Sequence, residues 1–276
     1  DHPCGALSTG LKENGIFINS SGTVDSVLTL IDPCNIDRGM FDLGVGCGRF
    51  FVPETYYAMG GIQSAGRSVQ WFAENFFEEI TEPSEDRYQK MNDEIEVVSV
   101  GSDGVIFIPH LRGSIVPHQM PFARGGFLGL RETHGRGHMA RAIYEGLSME
   151  YRIILDRLEE LLKTSFPDMR CFGGGSQNPS WIQIKAHVLN RPMIVYETKE
   201  NTCLGAAILA GLGCGLYRDI EDAFQQIHYK TTVIEPDTDK AARYESLYHA
   251  VYRPMFQHLK QINRMIENHL SEDMNR

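Results

Sequence analysis

The chain has 276 residues, 42% hydrophobic and 10% aromatic, a composition that suits a folded domain with a sizeable core. Its 26 Lys and Arg against 36 Asp and Glu give a formal charge of −10, which argues against nucleic acid as a main partner. No apolar run reaches the roughly 18 residues a membrane span needs, and the opening Asp1-His2-Pro3-Cys4 is not a basic and apolar leader.

The six cysteines contain no Cys-x-x-Cys pair and read as reduced thiols of a cytoplasmic protein. His134 and His138 have the i, i+4 spacing of helical metal ligands. Gly135 and Gly137 place them in a loop instead, without an acidic companion motif, and no metal site is predicted.

In chain order, residues 1–50 read as β. Ile16–Asn19 and Ser26–Ile31 are strands joined at Ser20-Ser21-Gly22-Thr23, a turn whose hydroxyls and backbone N–H groups suit a phosphate. Phe41-Asp-Leu-Gly-Val-Gly-Cys-Gly-Arg49 imitates the first motif of S-adenosylmethionine-dependent methyltransferases. That motif needs a helix directly after its glycines, and Phe50-Phe51-Val52-Pro53 is strand-like and then broken, so the reading is set aside.

Gly60 and Gly61 open a stretch that runs as a helix to about Phe77, with Ser64, Ala65 and Gly66 small enough for close packing on its start. Residues 81–100 read as a polar surface connection, Gly104–Pro109 as a short strand, and Leu111–Gly126 as a long loop with Pro117 and Pro121. The longest helix is predicted from Gly137 to Thr164, with an apolar stripe at Ile143, Leu147, Tyr151, Ile154, Leu158 and Leu161.

Met169–Phe172 is a strand feeding Gly173-Gly174-Gly175-Ser176-Gln177-Asn178-Pro179. Ser176 and Asn178 are good N-cap types and Pro179 suits a first helical turn. Glycines at a strand-to-helix turn let a ligand approach the backbone beside unpaired helix N–H groups, which suits a nucleotide. A helix at about 179–190, a strand at 192–196, an Ala/Gly-rich helix at 203–214 and a helix at 219–228 follow. The last helix begins at Lys240 and is interrupted at Pro254; its length leaves a homodimer open. A β-rich beginning followed by alternating strands and helices makes the chain α/β.

Taken together, the segments resemble the C-terminal domain of the FGGY family of carbohydrate kinases, over nearly the whole chain. The most specific stretch is Gly125-x-Phe127-x-Gly129-Leu130, then His138-Met139-x-x-Ala142-Ile143-Tyr144-Glu145, which fits the family's second signature. Arg170–Trp181 resembles its adenine-side glycine loop, and Gly205–Gly211 the small-residue helix that follows.

This resemblance implies a ribonuclease H-like fold of the actin, hexokinase and heat-shock ATPase superfamily, with residues 1–276 as the nucleotide-binding domain. It implies ATP and Mg2+ as cofactors and a sugar or polyol as substrate. It places terminal phosphates at Gly22 and Thr23, and the rest of the nucleotide beside Gly66, Gln70, Gly174, Gly175 and Asn178. The family's catalytic Asp maps onto Asp1, because Asp1-His-Pro-Cys-Gly-Ala6 matches the second half of its segment.

Relatives carry another lobe in front, with most sugar contacts, which implies that the chain is cropped. His110-Leu-Arg-Gly113 departs from the family's usual Gly-Glu-Arg, and His2-Pro3 from its usual Asn or Gln after the base. Two functions therefore stand side by side: the ATP-binding lobe of a sugar or polyol kinase, and a non-catalytic relative that senses nucleotide or sugar.

Overall fold

Strand β1 (Phe17–Ser21) and strand β2 (Asp25–Ile31) form an antiparallel hairpin in which Ser20 faces Ser26 and Ser21 faces Asp25. Every residue of β2 is buried, so the hairpin is covered on both faces and its apolar residues divide between two cores. Phe17, Val27 and Ile31 join the larger core, whereas Ile18, Leu28 and Leu30 join the smaller one on the opposite face. The computed structural model describes residues 1–78, 84–198 and 200–274.

Ahead of the hairpin lies a short helix, α1 (His2–Leu7); after it come α2 (Arg38–Leu43), β3 (Gly46–Arg49) and β4 (Tyr56–Ile62). Helices α3 (Ala65–Phe76) and α4 (Ser84–Glu96) follow, then a small separate hairpin of β5 (Ile106–Ile108) and β6 (Gly126–Leu128). The second half runs α5 (Arg136–Leu162), β7 (Met169–Phe172), α6 (Pro179–Leu189), β8 (Met193–Tyr196), α7 (Asn201–Gly213), α8 (Ile220–Gln226) and β9 (Thr231–Ile234). It ends with α9 (Thr238–Leu247) and α10 (Arg253–Met274).

The main sheet has seven strands in the order β3-β4-β2-β1-β7-β8-β9. Strands β3, β4, β2 and β1 are antiparallel to their neighbours, β1, β7 and β8 are mutually parallel, and β9 closes the far edge antiparallel. This is the mixed sheet with packed helices expected of a ribonuclease H-like α/β domain. The parallel strands put both β1 and β7 at the same sheet end, so the hairpin turn and the glycine loop emerge side by side.

Several expectations need correction. Residues 2–7 are helical, not β, because α1 lies across α7: a Cβ on Gly205 would come within 1.8 Å of the Cys4 carbonyl oxygen. That contact bears out the close packing expected of the small-residue helix. Gly60 and Gly61 belong to β4, and the helix after them starts at Ala65. The polar stretch before residue 100 contains helix α4, while its residues 81–83 lie outside the described residues.

Strand β9 had no sequence counterpart, and a π-helical turn at Tyr248–Tyr252 precedes Pro254. Helix α5 is buried far beyond its apolar stripe. Arg141, Glu145 and Glu150 lie inside as well, paired with one another or with Ser102, His110, Tyr244 and Tyr252. His138 sits in the first turn of α5, its Nδ1 accepting the Gly135 N–H, and not in a loop.

Candidate nucleotide cleft

The hairpin tip, the start of α3 and the glycine loop form three walls of one cleft of about 690 Å3. Gly22, Thr23, Gly66, Gln70, Gly174, Gly175 and Asn178 all line it. Seven of the eight residues proposed from the sequence therefore meet at one place, although the glycine loop lies more than a hundred positions from the other two segments.

The walls differ in how they are built. At the hairpin tip the Gly22 N–H donates to the Val24 carbonyl at 3.2 Å, closing a tight turn that leaves Gly22 and Thr23 exposed. Gly66 lets α3 start directly against this turn: a Cβ there would lie 2.2 Å from the Gly22 carbonyl oxygen. The Arg67 N–H donates to the Thr23 carbonyl at 3.3 Å, tying helix to turn.

In the glycine loop, Gly173 has φ +95 and packs its α-carbon on the Ser21 carbonyl, a conformation that favours glycine. Gly174–Gln177 forms one 3-10 turn. A Cβ on Gly175 would meet Ser21 Oγ at 2.6 Å and the Trp181 ring at 2.8 Å, whereas one on Gly174 would meet nothing within 4 Å. Among the described residues the N–H groups of Thr23, Gly174 and Gly175 have no protein acceptor. Exposed backbone donors at the start of a helical turn are the groups an oxyanion needs.

Asn178 lines the cleft, but its side chain is committed to the fold. Its Oδ1 caps α6 by accepting the Trp181 N–H at 3.1 Å, and its Nδ2 donates to the Tyr144 hydroxyl at 2.8 Å and to Asn92 Oδ1 at 3.3 Å. Gln70 Nε2 donates to Glu74 on the same helix at 2.7 Å.

Tyr88, Gln89 and Asn92 of α4 complete the lining, and sequence reasoning missed them. Helix α4 does carry a short apolar stripe, Tyr88, Met91 and Ile95, packed against the larger core, but it is set in an otherwise polar and acidic run that reads as surface. Burial pushes the Tyr88 hydroxyl above its ordinary pKa, with Glu74 adding to the effect. Trp181 stacks on Tyr144 at 5.6 Å, and its Nε1 is buried without a protein partner.

Asp1 does not line the cleft. Its carboxylate caps α1 by accepting the His2 N–H at 2.9 Å. His2 ties this helix start to the hairpin, its two ring nitrogens lying 3.2 Å from Ser20 Oγ and 3.1 Å from Ser26 Oγ.

The glycines at 44–48 lie elsewhere. Gly44 is left-handed after α2, and Gly46 and Gly48 run into strand β3, so the helix a methyltransferase loop requires is missing. Loop 110–114 does not reach the cleft either: Leu111, Arg112 and Gly113 line a separate groove with Arg124 and Glu267. A larger groove of about 820 Å3 between α5, α10 and residues 118–120 holds none of the predicted residues. Among the described residues no group of three or more His, Cys, Asp or Glu could hold a metal ion, and no helix is long and apolar enough to cross a membrane.

Residues 18–214 match the FGGY family of carbohydrate kinases, C-terminal domain. The chain belongs to that family. Among its FGGY relatives, the xylulose kinase of Lactococcus lactis is 30% identical over 270 residues, covering 96% of this chain and 51% of that protein. The gluconokinase of Bacillus subtilis is 28% identical, over 96% of this chain and 50% of the relative.

Solved structures agree on the fold. The xylulose kinase from Rhodospirillum rubrum superposes with a TM-score of 0.81 at 24% identity, covering 96% of this chain and 51% of that one. Plasmodium falciparum glycerol kinase, solved with ADP, gives 0.73 at 25% identity, over 92% of this chain and 50% of that one. The chain thus spans about half the length of the curated FGGY relatives it matches.

Proposed function

We propose that this chain is the ATP-binding lobe of a sugar or polyol kinase, completed by an N-terminal lobe of the same protein that carries most sugar contacts. Convergence of seven motif-derived residues on one cleft, with backbone donors from two of its walls lacking acceptors, carries the reading. Terminal phosphates lie at Gly22 and Thr23, and the remainder of the nucleotide runs between Gly66, Gln70 and the turn at Gly174 and Gly175. The ADP in the glycerol kinase relative supports the ligand class.

Among the described residues no group of side chains would cage a metal, so Mg2+ would be held mainly by the nucleotide phosphates, whose charge it would neutralise. Asp1 is the general base of the completed enzyme, taking the proton of the hydroxyl that attacks the γ-phosphorus in line. Its support is its place in sequence, one residue before His2, whose ring nitrogens lie against Ser20 and Ser26 of the two hairpin strands. The free cysteines fit a cytoplasmic setting.

Calorimetry with Mg·ADP tests the lobe. A Cβ at Gly174 meets nothing within 4 Å, so Gly174→Val fills the open side of the loop and weakens binding by about a hundredfold, near 2.7 kcal/mol, while melting close to the parent. Absence of Mg·ADP binding by the parent, both alone and joined to its preceding lobe, overturns the reading. In the two-lobed protein, Asp1→Asn lowers phosphoryl transfer by about 10²–10⁴-fold and leaves Mg·ADP affinity unchanged.

A further inference from the structure

Behind the cleft, and not lining it, lies a fully buried ion pair. Lys185 Nζ donates to Asp25 Oδ2 at 2.8 Å and to Asn19 Oδ1 at 2.9 Å, with lysine and aspartate side chains 0% and 1% exposed. Asn19 Nδ2 donates in turn to Asp25 Oδ1 and to the Ser26 carbonyl, so Asn19, Asp25 and Lys185 form a closed triangle. The ammonium lies 4.8 Å from the Trp181 ring centre and 4.9 Å from that of Tyr151.

Stability alone is a weak reason to keep such a group. Removing two charges from water costs about as much as their attraction returns, and apolar residues of similar volume often serve the fold as well. What the triangle supplies is direction. Asp25 is the first residue of β2, directly after the Gly22–Val24 turn, and Asn19 stands on the other arm of the hairpin. Lys185 stands on α6, the helix that begins where the glycine loop ends. Trp181 packs on the lysine with one part of its ring and on the α-carbon of Gly175 with another. A contiguous line of contacts therefore runs from the hairpin turn through Asp25, Lys185 and Trp181 to the glycine loop.

We infer that the Asn19–Asp25–Lys185 triangle is a positioning device that sets the spacing between the phosphate hairpin and the glycine loop. Lys185 thereby governs the phosphate-dependent part of nucleotide affinity without touching the nucleotide. This rests on the nucleotide reading of the cleft. Hydrogen bonds to a phosphate span a few tenths of an ångström, so a small drift of one wall against the other is felt at the terminal phosphate first.

The test compares Mg·ADP with AMP, which lacks the terminal phosphate, on the parent and on the Lys185→Met/Asp25→Asn double variant. The double change removes both charges together and avoids leaving one buried alone. Mg·ADP affinity should fall about tenfold while AMP affinity stays within about twofold, so that the preference for ADP collapses. A variant that weakens both ligands alike, or changes neither, overturns the inference, because a merely structural role would act on both. A parent that binds neither ligand, both alone and joined to its preceding lobe, overturns the reading of the cleft itself.

Should the double variant not fold, Asn19→Ser decides. It keeps the ion pair and removes the amide that completes the triangle, and the ADP-to-AMP preference should fall about threefold. An unchanged preference in that folded variant overturns the inference equally.

Discussion

Two walls of the cleft are marked in the sequence by the same residue type, yet glycine does opposite work in them. At the start of α3, Gly66 makes room for protein, its α-carbon seated on the Gly22 carbonyl of the hairpin. In the glycine loop, Gly174 faces open space. Even within that loop the three glycines differ: Gly173 satisfies a positive φ, Gly175 accepts the Ser21 and Trp181 side chains, and Gly174 alone leaves a vacancy a ligand could use. A run of glycines marks close approach; only the neighbours show what approaches.

Substitution at the two positions should separate these roles sharply. Gly66→Val drives a branched side chain into backbone 2.2 Å away, where neither the turn nor the helix can yield cheaply. The expected loss is about 3 kcal/mol or more, read from urea unfolding. Gly174→Val should leave the same transition nearly unmoved. If Gly66→Val unfolded at the parent's midpoint, the hairpin and α3 would not be locked together and the distinction would collapse.

Asn178 tests whether a residue that lines the cleft belongs to the ligand or to the fold. Its amide is spent on the α6 cap, Tyr144 and Asn92. Asn178→Ala should therefore destabilise by about 2 kcal/mol through a lost cap and unsatisfied buried partners. Asn178→Ser, which restores the cap alone, should recover about half of that. A large loss of Mg·ADP affinity with no change in stability would instead assign the side chain to the nucleotide.

The parts of the site legible in the sequence are those with local chemistry. A Ser-Ser-Gly-Thr turn between apolar runs, or glycines followed by an N-cap and a proline, announce themselves within a few residues. What depends on distant partners does not. Strand β4 hid behind Gly60 and Gly61, tolerated there because a Cβ on Gly61 would meet the Asp25 carbonyl of the neighbouring strand. Helix α1 hid because Gly5 stands in its middle, where the ring of Phe172 occupies the space of a side chain. The lysine triangle joins residues up to 166 positions apart, and no spacing rule reaches that far.

The smallest expected effect concerns the outer side of the hairpin. Inside, the arms are joined by a buried triangle; outside, by the imidazole of His2 across the facing pair Ser20 and Ser26. Burial, and next the α-amino group of this chain, lower the His2 pKa, against a weaker opposite pull from Asp25. The unfolded chain, with an ordinary value near about 6.5, then takes up the proton more readily than the folded one. Stability from the neutral ring is therefore complete above that value and drains away as pH falls toward the lower folded value. The ring is only half buried, so the loss should stay under about 1 kcal/mol. Urea midpoints at about pH 7.5 and 5.5, parent against His2→Gln, isolate it, because every other titrating group is common to both. The parent should lose more than the variant; an equal loss would mean that the outer clasp does not titrate.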